Sequence, residues 1–265
     1  LAEQYYASTF RGTPGSKEMD QALQTWTDNN TGGLLKEYTK DMAIAPDTVF
    51  ELVSTIYYKA MWRENFWEVN TEKETFHGTA GDTDVDMMKK TERMDVYQGE
   101  QFTAIGLSLQ DSGSMYFLLP DVSELVSSPD LMKVIRRDES SDNWYSPMVN
   151  LSVPKFKVSE KTDLIETVRA LGVTDALDAD LADFSPLTEN RNGLYLSKAD
   201  HAAMLEIDEN GVTGAAYTEL GVSETAAEIP DDEIDFVLDR PFLFLVTGQD
   251  GSLLFSGVVR NIDGK

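Results

Sequence analysis

The chain holds two histidines, His77 and His201, and no cysteine, which narrows the nucleophilic and metal chemistry open to it. Asp200 and His201 lie close to Ser197 and supply the residue types of a hydrolase relay. Neighbours in one strand point to opposite faces, however, so Asp200 and His201 cannot form that relay. Neither G-x-S-x-G nor H-E-x-x-H occurs, and the chain reads as a non-enzyme without a cofactor. The run Asp82-Thr83-Asp84-Val85-Asp86 offers alternating carboxylates for calcium. The glycine position of such a loop holds Met87 and its twelfth position Arg93, so a solvated turn between strands is expected instead. Glu228-Ile229-Pro230-Asp231-Asp232-Glu233 is either a cation or partner site or, more commonly, a solvated flank. His77 is expected on a strand surface.

The net charge of −25 argues against nucleic acid, whose phosphates need a basic surface, and against anionic membranes. Without cysteine there is no disulfide framework, and the redox compartment is left open. With 41% hydrophobic and 26% charged residues over 265 positions, the composition is that of a globular domain, and no linker divides it. No apolar run reaches transmembrane length.

The stretch that organises these residues runs from His201 to Val246. Ala203, Leu205 and Ile207 alternate as a strand, and Phe242–Val246 is an apolar strand. Between them, Val212, Gly214, Ala216, Thr218, Leu220 and Val222 share one uncharged face of an extended chain. Tyr217 and Glu219 fall on the other face. Period two with one uncharged face suits a half-buried strand, yet the small residues at its start pack little. A long loop inside a compact domain is usually functional. The segment suits two states: exposed first, a central strand later.

Several ordered motifs here resemble the serpin family. Glu209-Asn210-Gly211-Val212-Thr213-Gly214-Ala215-Ala216 is similar to the hinge of inhibitory serpins. Asp239-Arg240-Pro241-Phe242-Leu243-Phe244 and Leu254–Val259 resemble the C-terminal signature. The run from Leu52 to Trp62, Val153-Pro154-Lys155-Phe156 and Ala182-Asp183-Phe184-Ser185 match in the expected order. The resemblance implies an α+β serpin fold with three β-sheets and surrounding helices, as a single domain over residues 1–265 with a reactive loop at about 209–235. It aligns Leu1 with the middle of the family domain. The family's first helices and some strands are therefore expected upstream, and residues 1–265 alone are expected to be insoluble or molten.

The resemblance also implies function. A serine protease cleaves the loop as substrate, and the freed loop inserts into the large sheet while the protease is held as acyl-enzyme. The usual loop length puts the reactive bond at Thr225-Ala226. From Leu220 to Ile229 there is no Lys, Arg or aromatic residue, so small residues favour an elastase-like protease. Glu224 would also suit a glutamate-preferring one. The alternatives are a non-inhibitory serpin, acting as carrier, chaperone or storage protein, and a non-functional fragment. Charge or bulk on the hinge would mark the non-inhibitory class, and Val212 is uncharged. A heparin-type polyanion is not expected as partner, and a monomer, extracellular or at the cell surface, is.

The sheet-opening region of the family corresponds to Ser54, Trp62, Lys155 and His201. His201 is either a buried structural residue or part of that region, where its usual asparagine partner is replaced by Ser54. Glu209 and Lys155 are either two surface charges or the family's pair at the end of the large sheet.

The elements expected to carry these residues follow in order. Tyr5, Tyr6 and Phe10 suggest a short strand. Ser16 caps a helix containing Met19, Ala22, Leu23 and Trp26, stopped at Gly32-Gly33. In serpins a helix of this position lies across the large sheet. Thr48–Lys59 reads as a long central strand. Gln101–Leu109 and Ser114–Leu119 form a hairpin across Asp111-Ser112-Gly113, Ser123–Arg137 a helix, and Asn150–Val158 a strand. Thr162 begins a helix with Ile165, Val168 and Leu171 buried, Leu194–Ile207 is a strand, and Asp250-Gly251 turns the last hairpin.

Overall fold

The computed structural model describes residues 8–49, 51, 53, 55, 58–120, 133–135, 142–185, 194–212 and 232–263. They divide into two compact units, Leu1–Tyr57 with Ser159–Met204, and Tyr58–Val158 with Leu205–Lys265.

In the first unit, helix α1 (Lys17–Asn30) starts at Ser16, whose extended backbone lets its Oγ accept from Met19 N at 3.3 Å. Thr31 ends it, and Gly32 and Gly33 follow at φ 60° and 76°, a conformation open to glycine. Asp20 accepts from Ile44 N, and Asp28 from the hydroxyl of Thr39 in α2 (Lys36–Thr39). The helix's own acids thus hold the chain that folds back on it. Helix α3 (Ile165–Ala170) corrects the expected buried face, because none of its residues is buried and Leu171 is 78% exposed. Its six residues make under two turns, too short for an apolar stripe. Its entry is set by Asp163, which accepts from Ile165 N, rather than by Thr162.

Two strand expectations also change. Phe10 lies outside any strand, and Tyr5 and Tyr6 lie outside the described residues. No described residue of 48–59 belongs to a strand. Residues 50, 52, 54, 56 and 57 of that run lie outside the described residues. Regular pairing in the 194–207 run begins only at Asp200.

The strands are β1 (Ala60–Met61), β2 (Glu72–Gly78), β3 (Gly81–Arg93), β4 (Val96–Gln98), β5 (Phe102–Ser108), β6 (Ser114–Pro120), β7 (Trp144–Tyr145), β8 (Met148–Pro154), β9 (Phe156–Asp163), β10 (Asp200–Asp208), β11 (Gly211–Val212), β12 (Glu233–Val237), β13 (Phe242–Thr247) and β14 (Leu253–Val259). Among the described residues they make three sheets, ordered β1-β11-β10-β9, β12-β8-β3-β2 and β14-β13-β6-β5-β4-β7. Phe242 of β13, fully buried, joins them in the second unit. Its ring lies 6.3 Å from Phe76 of β2, 6.1 Å from Phe117 of β6 and 5.5 Å from Phe156 of β9. These edge-on contacts are the favoured aromatic geometry.

The two expected hairpins form. Asp111 adopts φ 50° between β5 and β6, and a Cβ at Gly113 would stand 1.8 Å from Thr247 O, so only glycine fits. Gly251 takes φ 77° between β13 and β14, with Asp250 accepting from Ser252 N and Oγ. Asp82–Asp86 is not a turn but part of β3. Gly78 and Gly81 pair across the tight turn instead, and Asp86 and Asp82 meet Lys73 and His77 of β2. The expected Asn150–Val158 strand breaks at Lys155. Of the helix expected at 123–137, only 133–135 is described, and it is helical.

Candidate functional site

A group of polar contacts in the second unit surrounds the turn between β10 and β11. Asp208 Oδ1 accepts from Asn210 N at 2.8 Å and Gly211 N at 3.1 Å, the closure an aspartate makes two residues before a turn. Trp62, only 2% exposed, donates its indole Nε1 to Asp208 O at 2.8 Å. Its backbone N donates to Asn210 O, and Phe66 N donates to Glu209 O. Trp62 and Phe66 stack edge to face at 6.1 Å. Every carbonyl of the turn from Asp208 to Asn210 is therefore bonded to the segment that follows β1.

Glu209 is the exceptional residue, a carboxylate only 4% exposed. Its Oε1 accepts from Lys155 Nζ at 2.6 Å and from Thr71 Oγ1 at 2.8 Å. Burial pushes this carboxyl up, but the hydrogen bonds from Lys155 and Thr71 and the Lys155 charge outweigh it. The net result is a pKa below the ordinary carboxylate value. Lys155 is fixed in turn by its backbone N, which donates to Asp86 O at 2.8 Å as the chain passes from β8 to β9.

Beyond the turn, β11 lies between β1 and β10. Val212, 2% exposed, faces Ala60 on one side and Ile207 on the other, antiparallel to both. Gly211 makes this approach possible, since a Cβ there would stand 2.1 Å from Ala60 O.

Of the residues singled out from sequence, Trp62, Lys155, Glu209, Gly211 and Val212 are brought together here. Thr71 and Phe66 complete the group, and no sequence pattern pointed to them; Thr71 is 138 positions from its partner. His201 is exposed on β10, which corrects the buried structural expectation. A strand buries alternate residues, and Leu205 and Ile207, in step with His201, become buried only further along. His77 is exposed on β2 with Nδ1 at 2.9 Å from Asp82. The hydrogen bond that the ring donates to Asp82, the Asp82 charge and that of Asp239 raise the imidazole above its ordinary value. Ser54, Thr213, Gly214, Ala215, Ala216, Thr225 and Ala226 lie outside the described residues. Among the described residues no group of three or more His, Asp or Glu could hold a metal ion.

The serpin family model, described as "serine protease inhibitor", matches residues 1–262, and the chain belongs to the serpin family. It is 32% identical over 252 residues to Serpin B10 of Otolemur garnettii, covering 91% of this chain and 62% of that protein. The chain thus spans about three-fifths of the length of the curated relatives it matches. The thermophilic serpin tengpin in its native state superposes with a TM-score of 0.75 at 24% identity, over 97% of this chain and 66% of that one. Human thyroxine-binding globulin, solved with its ligand, superposes with 0.74 at 25% identity, over 98% and 69%. The α+β arrangement of three sheets is the serpin fold.

Proposed function

We propose that the chain is the loop-bearing part of a suicide-substrate inhibitor of serine proteases, with an elastase-like target. The protease serine attacks the carbonyl of the reactive bond, the amine of the next residue leaves, and an ester joins the two proteins. Insertion of the freed loop then removes the acyl-enzyme from water attack before hydrolysis. The observation that carries this reading is the position of β11, whose Val212 already lies between two strands. The uncharged face that continues through Gly214, Ala216, Thr218, Leu220 and Val222 could lengthen that strand without burying a charge. Serpin loop insertion is itself a recognised case of strand addition. About ten new backbone hydrogen bonds at ~1 kcal/mol net each would give on the order of 10 kcal/mol. That rivals the stability of a whole domain.

The small residues around Thr225 and Ala226 support the elastase-like preference, because a shallow pocket accepts them and deep cationic or aromatic pockets do not. The test is incubation of the protein carrying this chain with pancreatic elastase, followed by denaturing electrophoresis and mass spectrometry. An SDS-resistant complex cut among the small residues near Thr225-Ala226 is expected. Complete cleavage without a complex would instead indicate a non-inhibitory serpin. A cut after Glu224 or Glu228 would contradict the elastase-like preference alone.

A further inference from the structure

The segment after β1 carries apolar surface that the core does not use. Trp67 is 57% exposed and Val69 81%, on either side of Glu68 in the short turn ending at Asn70. Lone exposed apolar residues are ordinary. Val69, however, lines one end of a groove of about 430 Å³ that runs from Val69 and Asn70 across Lys89–Thr91 of β3 to Asn150 of β8, and Trp67 lies two residues before it in the chain. At its far end Asn150 Nδ2 donates to Glu233 and Asp235 of β12.

The groove therefore connects the two places from which the 213–231 segment departs and returns. On one side, Phe66 N and Thr71 Oγ1, which bracket Trp67 and Val69, both bond Glu209, three residues before Val212. On the other, Asp232 O accepts from Met148 N and β12 begins. A partner that contacts both of these ends also meets this surface. The charges specify what kind of partner. Glu64, Glu68, Glu72, Glu233 and Asp235 are exposed around it. The two cations of the groove, Lys89 and Lys90, are already paired with Glu72, Glu74 and Glu92.

We propose that Trp67, Val69 and the adjoining groove are a second docking surface for the protease that cleaves the loop, and that this protease is cationic. The inference rests on the inhibitor reading. An exposed indole beside Glu68, next to a groove flanked by further exposed acids, supplies an apolar anchor with complementary charge, the combination that concentrates binding energy and speeds encounter. Contact at Trp67 also bears on the segment bonded to Glu209, so docking and the hinge share one support.

Cationic pancreatic elastase with its catalytic serine replaced by alanine reads this contact without the trapping step. Trp67→Ala, at an exposed position, should keep the thermal midpoint and bind about tenfold more weakly. Glu68→Lys should weaken binding at low salt and much less at high salt. Equal affinities for the parent and both variants would overturn the docking surface. So would self-association of the parent that Trp67→Ala abolishes, because the occupant would then be a second copy. Active elastase separates this from the inhibitor reading. Loss of trapping alongside Trp67-dependent binding refutes only the inhibitor; normal trapping with Trp67-independent binding refutes only the docking surface.

Discussion

Lys155 and Glu209 meet at 2.6 Å, joining the point where β8 passes to β9 with the turn from which the 213–231 segment departs. Glu209 is almost entirely enclosed while the Lys155 side chain is 36% exposed, so the two do not suffer equally from losing each other. Lys155→Met should leave a buried carboxylate with Thr71 as its remaining side-chain donor and cost about 1–3 kcal/mol. Glu209→Gln, which keeps the shape, should cost less. Urea midpoints measure both. A loss under about 0.5 kcal/mol for Lys155→Met would mean the pair behaves as an ordinary surface bridge.

The same carboxyl sets an acid limit. Its folded pKa lies below the unfolded value of 4.5, so its contribution is fully present above about pH 4.5 and is lost as pH falls through the folded value. The stability gap between the parent and Glu209→Gln should shrink as pH falls below about 4.5. A constant gap across that window would contradict the assignment. His77 runs the other way. Its folded pKa is raised above 6.5, so its bond to Asp82 contributes below that pH and fades as pH rises through the folded value. Asp82→Asn should abolish that dependence, seen by NMR titration of the imidazole.

Gly211→Ala should be more damaging than a glycine-to-alanine change on an open turn. The added Cβ would stand 2.1 Å from Ala60 O and 2.7 Å from Met61 Cα, both backbone atoms of β1. Either β11 leaves β1 or the turn opens, at about 2–4 kcal/mol. Faster amide exchange at Trp62, whose N donates to Asn210 O, would report it. Protection equal to the parent's would show that β1 yields without cost.

Much of the local structure was legible because its signals are local. Ser16 needs only the next turn of chain to cap α1, and the Asp111–Gly113 and Asp250-Gly251 hairpins need only the residues that tolerate their backbone. Glu209 and Lys155 were found through resemblance, since neither has a local reason to meet the other. Two other signals misled for related reasons. Leu171 had helical spacing in a helix too short to bury it. The Asp82–Asp86 acids suggested a turn, yet they are the solvated face of β3, and Gly78 and Gly81 do the turning. Thr71 and Phe66 left no mark at all, because their part in the site comes from tertiary contact alone.

Ala216→Arg tests the central claim most directly. Ala216 shares the face of Val212, so a guanidinium there would have to enter the packed interior if β11 lengthens. With pancreatic elastase, the parent protein should form an SDS-resistant complex at close to equal stoichiometry. The Ala216→Arg protein should be cleaved at the same bond and release the protease, with little or no complex. Trapping by the variant with unchanged stoichiometry would contradict insertion of this face.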